Sequence, residues 1–78
     1  MKKWDRESFK KLKKEKKYLL LRDHAEFVGN RISQGYQCSL FIFSGMYVEM
    51  WRPIGLNYIH WIEVIDSPLI LEEYMENL

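Results

Sequence analysis

The chain has 78 residues, of which 47% are hydrophobic and 15% aromatic, and its formal net charge is +1. A chain of this length forms one domain that buries roughly 60% of the surface of its unfolded state, so we expect residues 1–78 to fold as a single globular domain. The lone cysteine, Cys38, excludes an internal disulfide, and no apolar run exceeds four residues, so we expect a cytoplasmic protein without signal peptide or membrane span.

The charges of the chain form two poles. Residues 1–22 hold ten of the twelve Lys and Arg residues and three acidic residues, a net charge of +7, whereas residues 23–78 carry −6. Such a division bears on binding partners more directly than on the fold.

The basic pole, residues 1–22, is predicted to be an amphipathic helix that begins after Asp5. Asp5 is a favourable N-cap residue, and Trp4 and Phe9 have the spacing of a hydrophobic staple. At about 100° per residue, the apolar residues gather on one side of the helix and a stripe of cations on the other. The candidate nucleic-acid-binding residues in this stripe are Lys3, Arg6, Lys10, Lys13, Lys14 and Lys17.

Three interpretations of the cationic stripe remain open: a solvated helix face, a phosphate-binding surface for nucleic acid, and an anionic-membrane contact, which is the least favoured. Lysine outnumbers arginine and no aromatic residue interrupts the stripe. Both features argue against reading of a specific base sequence.

Residues 25–65 are predicted to form a four-stranded antiparallel meander. β-Branched and aromatic residues dominate four segments, 26–33, 36–43, 46–52 and 57–65, and the first two turns are the pairs Gln34-Gly35 and Ser44-Gly45. These turns set Phe41 opposite Val48 and beside Val28. If the third turn, at Gly55, also has two residues, His60 faces Glu49.

Both faces of this predicted sheet are apolar. The core face collects Val28, Ile32, Phe41, Phe43, Val48, Met50, Ile59 and Trp61, whereas the second face includes Cys38, Ile62 and Val64. The terminal helices could cover both faces, or a second copy of the chain could cover one of them. We expect a homodimer, with candidate interface residues Phe27, Tyr36, Leu40, Ile42, Tyr47, Trp51 and Tyr58 on the second face.

Residues 67–78 are predicted to form a second helix, with Ser67 as N-cap and Pro68 at the first helical position. Its apolar side consists of Ile70, Leu71, Tyr74, Met75 and Leu78, and its acidic side of Glu72, Glu73 and Glu76. The predicted fold is therefore α+β: an N-terminal amphipathic helix, a four-stranded antiparallel β-meander and a short C-terminal helix. The two charge poles could also pair with each other, within one chain or between subunits.

The sequence offers little for catalysis. Cys38 and His60 fall two strands apart, about 10 Å at ordinary strand spacing, so we expect a buried, inert thiol. His24, His60 and the scattered carboxylates lack the convergent spacing of metal ligands. We expect no enzyme activity, metal or cofactor, and no small-molecule substrate is indicated.

Three segments resemble small single-domain bacterial proteins that have no established activity. They are the hairpin Gly35-Tyr36, the strand Gly45-Met46-Tyr47-Val48-Glu49-Met50-Trp51, and the tail with Pro68-Leu69 and Tyr74. The resemblance spans roughly residues 25–75 and implies a meander followed by a helix, without any catalytic or binding residue. The function that we expect is a non-enzymatic, self-associating protein-interaction module. The alternative is weak, sequence-independent binding of nucleic acid through the lysine-rich helix.

Overall fold

The computed structural model describes residues 3–76, which form three helices and one four-stranded antiparallel sheet. The helices are α1 (Arg6–Lys10), α2 (Lys14–His24) and α3 (Pro68–Glu76), and the strands are β1 (Glu26–Ser33), β2 (Tyr36–Phe43), β3 (Met46–Pro53) and β4 (Trp61–Ile65). Each strand pairs with the next in the order β1-β2-β3-β4. The predicted α+β meander is therefore confirmed.

The first two hairpins have the predicted bounds and the predicted two-residue turns. Gln34 and Gly35 have φ angles of 51° and 82°, and Ser44 and Gly45 have φ angles of 50° and 75°. Positive φ at both central positions is the turn geometry that matches the right-handed twist of paired strands. Phe41 accordingly lies opposite Val48, as the sequence predicts.

The predicted N-terminal helix is in fact two helices. The Asp5 side chain caps α1 by accepting a hydrogen bond from the backbone N–H of Ser8 at 2.8 Å, but α1 ends at Lys10 and an extended Lys13 starts α2. Lysines at positions 10, 13, 14 and 17 would be like-charged neighbours along one continuous helix, which is unfavourable. The break turns the chain there, so the predicted single helical stripe of cations is wrong.

α1 and α2 cover one face of the sheet, which we call the first face. Its buried core consists of Phe9, Leu21, Phe43, Val48, Met50 and Ile62. The rings of Phe9 and Phe43 lie 5.3 Å apart, which joins α1 directly to β2. Leu21 of α2 packs in the same cluster. The two short helices therefore cover the first face together, as one longer helix was expected to do.

The register of β4 differs from the prediction because the β3–β4 connection is a loop instead of a two-residue turn. Gly55 has a φ of 84°, the Leu56 N–H bonds to the Pro53 carbonyl at 3.2 Å, and β4 begins only at Trp61. Ile62 and Val64 therefore lie on the first face, opposite Met50 and Val48. Trp61 is opposite Trp51 on the other side of the sheet.

A β-bulge at Val28 exchanges the faces that were predicted for two residues of β1. Phe27 pairs with Phe41 and Gly29 with Leu40, so Val28 is the extra residue between them. Phe27 consequently shares the first face with Phe41, and their rings lie 5.7 Å apart. Val28 turns to the second face and packs against the cluster that contains Leu40.

α3 covers much of the second face within the same chain. Cys38, Leu40, Ile65 and Tyr74 form a buried cluster there, with Ile70 and Leu71 packed against it. Leu40 is only 2% exposed, so its prediction as a dimer-interface residue is wrong. The side chain of Glu76, and Leu78, which were expected to extend the acidic and apolar sides of this helix, lie outside the described residues.

Candidate functional site

A buried polar cluster joins β1, β3 and α3 beneath the C-terminal helix. Glu49, 0% exposed, accepts hydrogen bonds on Oε2 from Arg31 Nε at 2.8 Å and from the Tyr74 hydroxyl at 2.5 Å. Its Oε1 accepts one from Trp51 Nε1 at 2.7 Å. Arg31 Nη1 donates to Glu73 Oε2 at 2.7 Å. The carboxylate and the guanidinium are thus paired and hydrogen-bonded, as buried charges need to be.

The cluster fixes α3 on the sheet and provides no free base or nucleophile. Burial and the hydrogen bond to Glu49 raise the pKa of Tyr74. Burial opposes the charge of Arg31, but the hydrogen bond to Glu49, the negative charge of Glu49 and the interaction with Tyr74 together outweigh burial and raise the pKa of Arg31. Sequence reasoning missed this cluster. The signal that could have found it is Glu49 itself. In β3 this acid lies on the same face as the aromatic residues Tyr47 and Trp51, where an unpaired charge would not be expected.

Cys38 is fully buried beside this cluster. Burial, with a further contribution from the negative charge of Glu49, raises the pKa of its thiol to about 11. The thiol is therefore protonated at neutral pH and shielded from solvent, which is the opposite of what a catalytic cysteine needs. In the sheet Cys38 lies opposite Trp51, and His60 does not reach it.

His60 belongs to an aromatic group at one end of the second face. Its Nδ1 lies 3.0 Å from the Tyr36 hydroxyl, and Trp51 stacks on Trp61 with ring centroids 4.6 Å apart. The predicted pairing of His60 with Glu49 is wrong, because Glu49 lies opposite Glu63. Two candidate interface residues, Tyr36 and Trp51, are half-buried within this aromatic group. Within residues 3–76 we find no group of three or more His, Cys, Asp or Glu side chains that could hold a metal ion.

The six candidate phosphate-binding cations have different environments. The guanidinium of Arg6 forms a two-pronged salt bridge with Asp66, which lowers the pKa of that carboxyl and joins the two charge poles within one chain. Lys17 Nζ donates to the Ile62 carbonyl at 3.3 Å and lies 5.7 Å from the centre of the Phe9 ring. The four lysines Lys3, Lys10, Lys13 and Lys14 are exposed, as is Arg6 despite its salt bridge.

The remaining candidate interface residues do not form one patch. Ile42 and Tyr47 are exposed opposite each other on the second face, Phe27 lies on the first face, and Tyr58 belongs to the β3–β4 loop. The predicted interface therefore divides into separate surfaces.

The two edges of the sheet differ in how they are covered. β4 contacts both α1 and α2, and Lys17 caps the Ile62 carbonyl there. β1, at the opposite edge, contacts α3 on the second face, and among the described residues it pairs only with β2. Phe27 and Ile32 are 55% and 66% exposed along β1, and the bulge places both on the first face. An eight-residue strand with unpaired backbone groups on one side and exposed apolar side chains is a template for strand addition.

Comparison with protein-family models, with curated proteins and with solved structures finds no match for this chain. The resemblance to small bacterial proteins therefore stays a prediction. In the part of the chain that the structure describes, no helix has the length and apolar character needed to cross a membrane.

Proposed function

We propose that this protein is a small, non-enzymatic interaction module that self-associates by pairing strand β1 of two copies. The observation that carries the proposal is the bulge at Val28, because it brings Phe27 and Ile32 onto the same face of an edge strand whose only strand partner among the described residues is β2. Without the bulge, two residues separated by an odd number of positions would point to opposite faces. The proposal moves the interface from the second face, which α3 covers, to the sheet edge.

Antiparallel pairing of two β1 strands is self-complementary. When Val28 and Gly29 count as one position, a two-fold axis at Asn30 sets Phe27 opposite Ile32 of the second copy, and Glu26 opposite Ser33. Each apolar pair then occurs twice, as an isologous interface requires. Cross-strand pairs of an aromatic and a β-branched residue stabilise antiparallel strands, and the open backbone groups of both edges gain partners.

The state of Cys38 supports a non-enzymatic role. A thiol with a pKa of about 11 and no solvent exposure neither attacks a substrate nor binds a soft metal at neutral pH. A lone buried thiol is also compatible with the reducing cytoplasm in which we place the protein.

Sedimentation equilibrium tests the proposal on the wild-type chain and on two matched variants. Ile32→Lys places a charge in the proposed interface, whereas Leu69→Lys makes the same kind of change at an exposed position on α3. We expect concentration-dependent dimers for the wild type and for Leu69→Lys, and monomers for Ile32→Lys. A wild-type chain that stays monomeric at concentrations on the order of 100 μM would overturn the proposal.

Weak, sequence-independent binding of nucleic acid is the second candidate function, and the four exposed candidate lysines, Lys3, Lys10, Lys13 and Lys14, favour it. Phosphate neutralisation predicts an affinity that falls steeply as salt concentration rises. Fluorescence anisotropy with short DNA and RNA over a salt series measures this dependence. Binding that is absent at low salt excludes this candidate.

A further inference from the structure

An apolar groove separates α2 from the β3–β4 loop. It has a volume of about 380 Å³, with Tyr18 and Leu19 on the α2 wall and Tyr58 and Ile59 on the loop wall. At Tyr18 and Tyr58 it continues into a smaller cleft of about 220 Å³, which is lined by Arg52. The combined space is in the size range of ligand-binding sites.

The groove exists because α2 and the β3–β4 loop lie side by side and leave apolar side chains exposed between them. α2 directs Leu21 into the core, which leaves Tyr18 and Leu19 more than one-third exposed on its outer side. Tyr58 in the loop is also exposed, whereas Ile59 packs against the core below it. The groove therefore has an apolar floor and two tyrosine walls.

Arg52 supplies a specific polar feature at the end of this groove. Three of the four arginines pair with carboxylates: Arg6 with Asp66, Arg22 with Asp23, and Arg31 with Glu49. Arg52 has no such partner among the described residues, and its Nε atom is buried without a hydrogen-bond acceptor there. A guanidinium that lines the cleft without a carboxylate partner is available to a ligand carboxylate, which would form a charge-assisted hydrogen bond with it.

We propose that this groove binds a short acidic segment of a partner protein. A Glu or Asp carboxylate of that segment bonds to Arg52, and a neighbouring apolar or aromatic side chain lies between Tyr18 and Tyr58. Charge complementarity favours this occupant, because Arg52 and Lys14 line the groove and the basic pole lies behind it, and these cations outnumber the one acidic lining residue, Glu15. The site goes beyond self-association and uses a different surface, so either proposal can fail without the other.

The test uses fluorescein-labelled short peptides that combine one Phe or Leu with Glu at varied spacing, and a matched set with Gln in place of Glu. Anisotropy measures affinity, and ¹⁵N-resolved NMR follows the Arg52 Nε–H signal and the amides of Tyr18 and Ile59. We expect Glu-containing peptides to shift these signals. Arg52→Gln and Leu19→Ser should each weaken binding at least about tenfold.

Arg22→Gln is the matched control for Arg52→Gln. It also replaces an arginine by glutamine, but Arg22 lies on α2 and already pairs with Asp23. We expect it to change the affinity less than about twofold, which is the effect of a screened surface charge. The proposal is overturned if no peptide shifts the groove signals, if the Glu and Gln sets bind equally, or if Arg52→Gln and Arg22→Gln weaken binding equally. Groove signals that move with protein concentration alone would assign the groove to a second copy instead. The wild-type NMR titration decides these points even if a variant folds poorly.

Discussion

The Tyr74 hydroxyl donates a hydrogen bond to Glu49 Oε2 at 2.5 Å, which ties α3 to the middle of the sheet. The same oxygen accepts a bond from Arg31 Nε, so three elements meet at one buried carboxylate. This anchor, together with Ile70 and Leu71, lets a nine-residue helix cover much of the second face. The second face is therefore not the open surface that its sequence suggests, although Ile42 and Tyr47 remain exposed there, and we propose edge strand β1 and the α2 groove as the surfaces for partners.

Replacing Glu49 by Gln should strongly destabilise the fold. The variant keeps the shape of the side chain but removes the charge that neutralises the buried Arg31 guanidinium. Breaking a buried ion pair costs about 3–5 kcal/mol in the free energy of unfolding, which urea denaturation monitored by tryptophan fluorescence measures. Glu63→Gln is the control, because Glu63 lies opposite Glu49 in the sheet but is exposed. Equal losses in the two variants would contradict this role of Glu49.

Tyr74→Phe should have a smaller effect, confined mainly to α3. It removes one hydrogen bond to a charged acceptor, about 1.5–3 kcal/mol, and leaves Glu49 with Arg31 and Trp51 as donors. Amide hydrogen exchange should accelerate more in α3 than in β2 and β3. Met75→Leu, at an exposed position on the same helix, should leave the exchange pattern unchanged. Uniform acceleration across the sheet in Tyr74→Phe would argue against a local anchor.

Stability should decline at alkaline pH. The pKa of Cys38 rises from 9.0 to about 11 on folding, and that of Tyr74 rises above its ordinary value of 10.0, so the folded chain keeps protons that the unfolded chain releases. Their stabilisation is complete below about pH 9 and is lost as pH rises through the folded pKa values. Urea unfolding between pH 8 and pH 11 measures this slope. The slope reports how many more protons the folded chain binds than the unfolded chain. Cys38→Ala should lower this number by up to about one, and an unchanged slope would show that the thiol does not contribute.

Cys38 should react with a thiol reagent only when the chain opens. Its burial and raised pKa both suppress the thiolate that attacks the reagent. We expect labelling of the folded protein to be slow and to accelerate as urea unfolds it, in step with tryptophan fluorescence. Rapid labelling under native conditions would show an accessible thiol and would reopen the question of catalysis.

The regular parts of the fold could be predicted because local chemistry fixes them. Gly35 and Gly45, each second in a two-residue turn with positive φ, set the bounds of β1 and β2. The bulge at Val28 could not be predicted, because it depends on how distant elements fit together. The break between α1 and α2 had a local signal, the like charges of neighbouring lysines, which the amphipathic pattern of the segment outweighed in the prediction. One inserted residue in β1 was enough to change the face of Phe27.

The candidate site was less predictable than the fold. The lysine stripe follows from helical spacing alone, but the salt bridge of Arg6 to Asp66 and the contact of Lys17 with Ile62 depend on the position of β4. The sequence did not single out Arg52. Its lack of a carboxylate partner becomes evident only in the structure, where the other three arginines each pair with a carboxylate. Charge patterns therefore predicted where cations lie along the chain, and not which of them remain available.

A pair of double variants tests self-association through β1 most directly. In the proposed dimer Phe27 lies opposite Ile32 of the second copy, so Phe27→Glu with Ile32→Lys creates opposite charges across the interface twice, whereas Phe27→Lys with Ile32→Lys creates like charges. Sedimentation equilibrium at low salt should show a dimer for the first combination, weakened by added salt, and a monomer for the second. The same association state for both combinations would contradict pairing of β1 in this register.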